Sequence, residues 1–371
     1  MKKMSKTDVK NAKLLAFSLV DTDKPIEIPS YAESDSRSKG MVNWGPDNNF
    51  PNMLFQLSQN SSTLSAIING TVELVKGEEI KLNAKVHENG DLYYYPFINK
   101  EKETIYDLVE NLFRDYRMFG MFAIQVIYNK LDNVAEIVHI PAEFIRMNND
   151  RTVIFFSKKW TKYKTNFQEY ASFDRENIVD HKSQIFVYTN SGRRQVYGIS
   201  PQNAALEDLA SEAYAAKYVR KSLQSGLAAR YLVDLPNTAN LTDEQKASIE
   251  EGIREKFTGW TNAGEFALYF NSGDKEMKIT KVDIDNSHEI FEGIREAAKN
   301  NIFVVNHATP NLFGDPSSTT GFNEQEYNEA YELYNRMTLE PIKKAIKSSL
   351  DKIFNVDDSV SFEKSTPISN E

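Results

Sequence analysis

The residues whose spacing comes nearest to a metal site are Asp283, Asp285, Ser287 and Glu289, which alternate along the chain. Oxygen ligands at alternate positions are typical of a calcium-binding loop. The segment lacks the glycine at the sixth position and the glutamate at the twelfth that such a loop uses. We therefore interpret it as the end of a strand followed by the acidic start of a helix.

A second candidate is a phosphate-binding loop in the run from Gly314 to Gly321, which contains four hydroxyl side chains. Backbone amides and hydroxyls in such a run could cradle a phosphate. A mobile polar loop is the commoner meaning of this composition, and such loops often carry function. Both interpretations remain open from the residues alone.

Sequence signatures of catalysis are missing. The chain has no G-x-x-x-x-G-K-[ST] phosphate loop, no strand-linked G-x-G-x-x-G, no H-E-x-x-H and no G-x-S-x-G. A serine–histidine–aspartate triad could still form in three dimensions, but no local motif supports one. No two histidines stand at metal-ligand spacing, the five being His87, His139, His181, His288 and His307.

Composition limits the classes of function further. The 371 residues carry a net charge of −9, which argues against general adhesion to nucleic acid or to an anionic membrane. The chain has no cysteine, so disulfides and thiolate metal sites are excluded. No apolar run approaches the length of a membrane-spanning helix. The lysines at the start, between Met1 and Lys13, are interpreted as a solvated basic tail.

The first half of the chain is predicted to combine helices with a β-sheet. Residues 1–50 read as an irregular arm. Helical spacing then continues from Pro51 to Lys76 with a new start at Ser61, and a further capped helix begins at Thr104. Over residues 121–189 the apolar period shortens to two, which indicates strands.

The segment from Gly198 to Pro310 is predicted to begin and end with a helix, with a small folded unit inserted between the two helices. Ser200 caps an Ala-rich helix that reaches about Ser225, and its acids precede its bases, as the helix dipole favours. A strand and a helix follow. Residues 265–270 and 277–282 are then predicted to pair as a hairpin.

The second helix of this segment starts near Asn286, and a loop rich in proline and glycine spans 307–321. A final helix is predicted from Asn323 to Phe354. Pro341 should kink it near Met337 because proline removes a backbone hydrogen bond. Residues 355–371 are predicted to be frayed.

Four sequence motifs together resemble those of a known family. They are Trp44–Pro51, Tyr197-Gly198-Ile199-Ser200-Pro201, the run from Ile302-Phe303-Val304 through Thr309-Pro310 to Leu312-Phe313-Gly314, and Leu339-Glu340-Pro341-Ile342. Their order and spacing are similar to those of tailed-bacteriophage portal proteins of the HK97-type and SPP1-like group. The likeness covers most of residues 43–354.

The resemblance implies an α+β portal-type fold, with a mixed wing domain, long antiparallel stem helices, a small α/β clip and a kinked C-terminal helix. The implied parts are an N-terminal arm (1–50), wing (51–195), first stem helix (196–226), clip (227–284), second stem helix (285–303), tunnel loop (304–321), long wing helix (322–354) and a short tail or minimal crown (355–371).

The resemblance also implies a function without catalysis or cofactor. Portal proteins form a ring, usually of twelve subunits, at one capsid vertex in the virion, and are assembled in the host bacterial cytoplasm. Double-stranded DNA passes through the channel during packaging and ejection. The implied partners are other copies of the chain, the terminase large subunit, the head–tail adaptor, and the major capsid and scaffolding proteins, with no membrane.

The resemblance also implies which residues form the functional sites. The tunnel loop would present His307, Asn311, Asp315, Ser317, Ser318, Thr319 and Thr320 to DNA. Candidates for the channel face of the stem are Glu289, Glu292, Arg295, Glu296 and Lys299, although a solvated helix face with i,i+3 ion pairs explains these charges equally well. The small side chains of Ala213 and Ala216 would let adjacent subunits pack closely.

Two other classes of function remain. One is a soluble α/β enzyme with an unrecognised phosphate-binding site near residues 315–321. The other is a monomeric capsid-associated scaffold without a pore.

Overall fold

The computed structural model of the protein describes residues 14–16, 33–35, 40–88, 92–160, 165–178, 182–192, 195–224, 230–235, 241–257, 266–270, 278–282, 287–315 and 324–363. Over these residues the chain mixes helices with strands, as the α+β prediction requires. The helices are α1 (Phe50–Asn60), α2 (Ser62–Lys76), α3 (Lys85–Glu88), α4 (Ile105–Phe119), α5 (Leu206–Gln224), α6 (Asp243–Phe257), α7 (Ser287–Val305), α8 (Glu324–Tyr334) and α9 (Glu340–Phe354).

Strands occur along the whole described chain. They are β1 (Leu14–Ala16), β2 (Glu33–Asp35), β3 (Val42–Trp44), β4 (Glu79–Leu82), β5 (Met121–Tyr128), β6 (Val134–Ile140), β7 (Ile145–Met147), β8 (Val153–Phe156), β9 (Gln168–Ser172), β10 (Gln184–Thr189), β11 (Arg230–Leu235), β12 (Phe266–Phe270), β13 (Lys278–Val282) and β14 (Val360–Glu363).

The chain divides into two compact units. The inserted unit comprises residues 211–297 together with 1–27, and the main unit comprises residues 28–210 and 298–371. The chain therefore leaves the main unit once, within α5, and returns once, within α7.

The inserted unit contains a four-stranded sheet of order β1-β12-β11-β13. Strands β11 and β12 are parallel, with α6 as the crossover between them, and β13 pairs antiparallel with β11. The predicted hairpin of 265–270 with 277–282 is therefore wrong, because β11 lies between these two strands. Short-range alternation could not reveal this, since it does not specify which strands are neighbours.

The segment predicted as an irregular arm also contains strands. β1 pairs antiparallel with β12 at the edge of the inserted unit's sheet, and β2 pairs with β3 in the main unit. Residues 41–50 contribute Val42, Trp44 and Phe50 to the hydrophobic core of the main unit. These residues are part of the folded domain, since burial of large side chains is what stabilises such a core.

The main unit is built around α4, which packs against α2, α9 and strand β5. Its start is a capping box between Thr104 and Asp107, and it ends at Gly120 with a left-handed φ of 67°. Beside it lies a mixed six-stranded sheet of order β6-β5-β10-β9-β8-β7, in which only the β9–β10 pairing is parallel. The helices and strands predicted over 51–189 are confirmed here.

The C-terminal part differs from prediction in two ways. The interruption expected near Met337 is a π-helical turn at Asn335–Leu339, which separates α8 from α9 just before Pro341. Residues 360–363, predicted to be frayed, form β14 and pair antiparallel with β4. Val360 is fully buried, so its apolar contacts hold this strand in place. Among the described residues no helix is both long and apolar enough to cross a membrane.

Candidate functional site

The two helices that lead to and from the inserted unit are tied together in the main unit by buried amides. Nε2 of Gln202 donates to Oδ1 of Asn306 at 2.8 Å, and Nδ2 of Asn306 donates to Oε1 of Gln202 at 3.1 Å. The guanidinium of Arg117 donates to the same Oδ1. All three side chains are buried. Because an unpaired buried polar group costs about 1–3 kcal/mol, these groups fix one another.

Sequence reasoning did not find this network. Gln202 and Asn306 are 104 residues apart, and neither belongs to a motif with a known spacing. Two further pairs join the same helices. Asp208 accepts from Nδ2 of Asn301 at 3.0 Å in the main unit, and the rings of Tyr218 and Phe291 stack at 3.9 Å in the inserted unit. The residue order of these pairs is that of antiparallel helices.

The start of α5 is held by Tyr197, which is fully buried. Its ring stacks on Trp44 with centroids 4.5 Å apart and planes 3° from parallel. Its hydroxyl donates to the carbonyl oxygen of Val42 and accepts from the backbone N–H of Met147 at 3.1 Å. One side chain therefore joins β3, β7 and the approach to the helix.

Gly198 is required by a close backbone crossing. A Cβ at this position would lie 2.5 Å from the carbonyl oxygen of Gly120. Gly120 itself has a φ of +67°, and a Cβ there would lie 2.2 Å from the carbonyl oxygen of Ile199. The two glycines thus let the end of α4 and the chain that leads to α5 pass in contact.

The hydroxyl of Ser200 bonds to the end of one helix and to the start of the next. It donates to the carbonyl oxygen of Met118 at 2.6 Å and accepts from the backbone N–H of Gln202 at 3.0 Å. The first bond satisfies a carbonyl in the last turn of α4, and the second caps a new helix. That helix opens as a 3₁₀ turn at Pro201–Ala205 before α5 begins, so it is not one continuous α-helix from Ser200.

The Trp44–Pro51 phrase forms a turn around a buried arginine. Asn48 has a φ of 55°, and its Oδ1 accepts from the N–H of Trp44 and from Nε of Arg146. The guanidinium of Arg146 lies 4.8 Å from the ring centroid of Trp160. Burial lowers the pKa of Arg146 to about 10, so the side chain remains charged at neutral pH.

The loop after α7 is described only as far as residue 315. Pro310–Phe313 form a 3₁₀ turn that ends at Gly314 with a φ of 83°. The ring of Phe313 packs so closely on Gly70 that a Cβ there would lie 2.6 Å from it. His307 is exposed, whereas Asn311 and Asp315 are half-buried. Ser317, Ser318, Thr319 and Thr320 lie outside the described residues.

Charged residues of α7 differ in their surroundings. Glu292, Arg295 and Glu296 are exposed. Lys299 is half-buried, and its Nζ lies 2.8 Å from a carboxylate oxygen of Asp315. Lys299, a candidate for the channel face of the stem, and Asp315, a candidate of the tunnel loop, therefore form an ion pair. The side chain of Glu289, and the residues Asp283 and Asp285 of the calcium-like segment, lie outside what the structure describes.

The two alanines predicted to lie between subunits differ. Ala213 is buried within this chain, whereas Ala216 is exposed on α5. Of the pair, Ala216 has the surface that a second chain could contact. In the described part of the chain no three His, Asp or Glu side chains are grouped to hold a metal ion.

A cavity that the sequence did not indicate lies between α1, α2, α4 and the end of β6, with a volume of about 250 Å³. Four ionisable side chains line it: Arg114, Asp115, His139 and Glu143. Nε2 of His139 lies 2.8 Å from Oδ2 of Asp115, which also accepts from the N–H of Ala142 at 2.9 Å. Glu143 lines the same cavity, beside the apolar side chains of Phe55 and Ile68.

The environment shifts two of these groups in the same direction. Burial and then the charge of Asp115 raise the pKa of Glu143 to about 7. Burial opposes protonation of His139, but the carboxylates of Asp115, Glu143 and Glu103 outweigh it, so the pKa of His139 is raised. The surroundings therefore favour the protonated form of both side chains.

The fold and the tied pair of helices define a portal-type α+β protein, and two solved structures share that fold. One is a chain in the virion of the native gene transfer agent particle, at 14% identity over 86% of this chain and 84% of that chain, with a TM-score of 0.54. The other is an HK97-family phage portal protein from Corynebacterium diphtheriae, at 11% identity over 83% and 93%, with a TM-score of 0.51.

A neck structure of the native gene transfer agent particle, computed with C12 symmetry, is also similar, at 13% identity over 84% of each chain, with a TM-score of 0.51. No curated protein sequence matches this one. The model of the phage portal protein family matches residues 83–366. The chain belongs to the phage portal protein family.

Proposed function

We propose that the chain assembles into a ring at one vertex of a phage capsid, and that double-stranded DNA enters and leaves through the centre of this ring. Membership of the phage portal protein family carries the proposal. The C12 symmetry of the similar neck structure supports a ring and makes twelve the expected number of subunits. Its place is then the virion, after assembly in the cytoplasm of the bacterial host.

In this proposal the parts of the chain have separate tasks. Helices α5 and α7 form the stem, the four-stranded sheet with α6 forms the clip, and the main unit forms the wing. The loop that begins at His307 and continues beyond residue 315 is the tunnel loop. The clip is the part that meets the terminase large subunit and later the head–tail adaptor, while the wing meets the major capsid and scaffolding proteins.

Electrostatics favour passage of DNA over its retention. Each phosphate that a cation neutralises adds to affinity by releasing counterions, so a channel lined with free lysines would hold DNA. The chain has a net charge of −9. On α7 the exposed Arg295 stands between Glu292 and Glu296, and Lys299 is matched by Asp315. Weak contacts of this kind let a polyanion slide.

Electron microscopy of the purified full chain tests the proposal. We expect negatively stained particles to be rings of uniform symmetry with a central hole. A population of monomers that binds a phosphorylated small ligand would instead support the enzyme, and monomers without ligand or pore would support the scaffold. Light scattering on the same sample gives the mass, which should be a whole multiple of the 42.4 kDa chain.

A further inference from the structure

Glu143 lines the cavity, and its carboxylate forms no ion pair with any described residue. Arg146 donates to the backbone oxygen of Glu143 and not to its carboxylate. Arg114, which also lines the cavity, donates to Glu110 and Asn69. His139 pairs with Asp115. Among the described residues, none forms an ion pair with Glu143, although burial makes an unpaired carboxylate costly.

The walls of the cavity suit the stem of a long basic side chain. Phe55 is 47% exposed at the cavity, and Ile68, Met118 and Phe119 provide further apolar surface. The volume of about 250 Å³ is several times the ~30 Å³ that one water occupies. An arginine places its methylene groups on apolar surface and its guanidinium on a carboxylate, so this combination recognises arginine better than a free metal ion.

The chain also carries a surface whose charge and apolar side chains are complementary to those of the cavity. At the junction of α8 with the π-helical turn, Leu333 is 52% exposed and Met337 is 46% exposed, and the exposed Arg336 lies between them. Within the part of the chain that the structure describes, Arg336 makes no ion pair. A π-helical turn is an uncommon backbone form that is frequently found at functional sites. We call Leu333, Arg336 and Met337 the knob.

We propose that the knob of one subunit enters the Glu143 cavity of a second copy of this chain, with the guanidinium of Arg336 on the Glu143 carboxylate and the apolar knob residues against Phe55. A knob and a cavity at different positions of one chain make a head-to-tail contact, which produces a ring when the rotation closes. The inference rests on the proposed ring and names the residues that join its subunits.

Disulfide crosslinking tests the contact directly because the chain has no cysteine. Phe55→Cys and Met337→Cys are prepared as separate proteins, mixed, assembled and oxidised. We expect covalent dimers on a non-reducing gel, and none from either protein alone. Leu131→Cys, at a residue that is 80% exposed and outside both surfaces, is mixed with Met337→Cys as the matched control for random collision.

The outcomes separate this inference from the proposed function. Rings that form normally but give no more dimer than the Leu131→Cys control would overturn the knob-and-cavity contact and leave the ring intact. If the unmodified chain forms no ring, the proposed function fails, and the contact fails with it.

Charge variants give a second, independent measurement. Glu143→Gln and Arg336→Met should each weaken subunit association about tenfold, and the double variant should be no weaker than either, because each removes the same pair. Lys344→Met, which removes an exposed cation from α9, is the control and should leave association unchanged. Analytical ultracentrifugation over a dilution series measures all four. Additive effects, or none, would contradict the contact.

Discussion

At the scale of single residues, the phrase from Tyr197 to Pro201 is explained by contacts that each residue type alone provides. Tyr197 combines a flat ring for Trp44 with a hydroxyl for two backbone groups. Gly198 allows the crossing with Gly120, and Ser200 bonds two helix ends at once. This motif therefore anchors the start of the helix that leads to the inserted unit.

The first prediction concerns Gly198. Gly198→Ala places a methyl group 2.5 Å from a backbone oxygen that cannot rotate away. We expect a loss of about 1–3 kcal/mol in the free energy of unfolding, as for other overpacked sites. Gly293→Ala, in α7 with open space around the new Cβ, is the control and should gain up to about 1 kcal/mol. Urea denaturation followed by tryptophan fluorescence measures the first and circular dichroism the second.

A second prediction concerns the buried amide network. Asn306→Leu removes the side-chain amide that Gln202 and the Arg117 guanidinium share, and it leaves Oε1 of Gln202 without a donor. This should destabilise the main unit by about 2–3 kcal/mol. Gln202→Leu together with Asn306→Leu should destabilise by less than the sum of the two single changes, because they share the same bonds. Asn300→Leu, at an exposed position of α7, is the control and should have little effect. A sum of independent effects in urea denaturation would show that the network is not coupled.

A third prediction follows from the raised pKa values of Glu143 and His139. A group whose pKa rises on folding stabilises the folded state at low pH, and this stabilisation is lost as pH rises through the folded pKa. The unassembled subunit should therefore lose stability as pH rises from about 4.5, the ordinary pKa of glutamate, through about 7, the raised pKa of Glu143. The raised pKa of His139 adds to this loss above pH 6.5.

Glu143→Gln should flatten that dependence, which thermal unfolding at several pH values would measure. Association should show the opposite trend. It needs an ionised Glu143, and the positive charge of His139 opposes an incoming guanidinium, so it should strengthen from pH 6 to pH 8. Arg146 stays charged throughout this range and contributes no change.

At the scale of elements, the caps explain why the helices begin and end where they do. Ser61 accepts from the N–H of Leu64 at the start of α2, and Thr242 and Gln245 bond reciprocally at the start of α6. These local signals were readable in the sequence, because a cap requires only residues within one turn. The order of strands in the inserted unit was not, because β12 pairs with strands distant in the sequence.

A fourth prediction concerns the link between α7 and the loop. Asp315→Asn removes the carboxylate that lies 2.8 Å from Nζ of Lys299, a residue that we expect to line the proposed channel. Rings of this variant should retain double-stranded DNA more strongly, with a steeper dependence on salt. Asp357→Asn, at an exposed residue after α9, changes the net charge equally and is the control. Equal retention by both variants in a filter-binding assay would mean that Lys299 does not face DNA.

At the scale of the whole molecule, a ring requires that one surface of each subunit fit another surface of the next. The fifth prediction distinguishes the two alanines of α5. Ala216→Trp enlarges an exposed position and should block ring formation while the subunit stays folded. Ala213→Trp enlarges a buried position and should destabilise the subunit itself. Light scattering and circular dichroism on both variants separate the two effects, and rings of normal size from Ala216→Trp would exclude that face from the interface.

The sequence by itself determined most helices, their caps and most strands, because periodicity and capping depend on neighbours within a few residues. Its motif order also indicated the family that the comparisons then established. Interactions between distant residues were decided only by the tertiary structure. They include the amide pair of Gln202 with Asn306, the joining of Lys299 to Asp315, the placement of β11 between β12 and β13, and the cavity that brings His139 to Asp115 and Glu143. No local pattern records such pairs, since what brings them together is the packing of elements far apart in the chain.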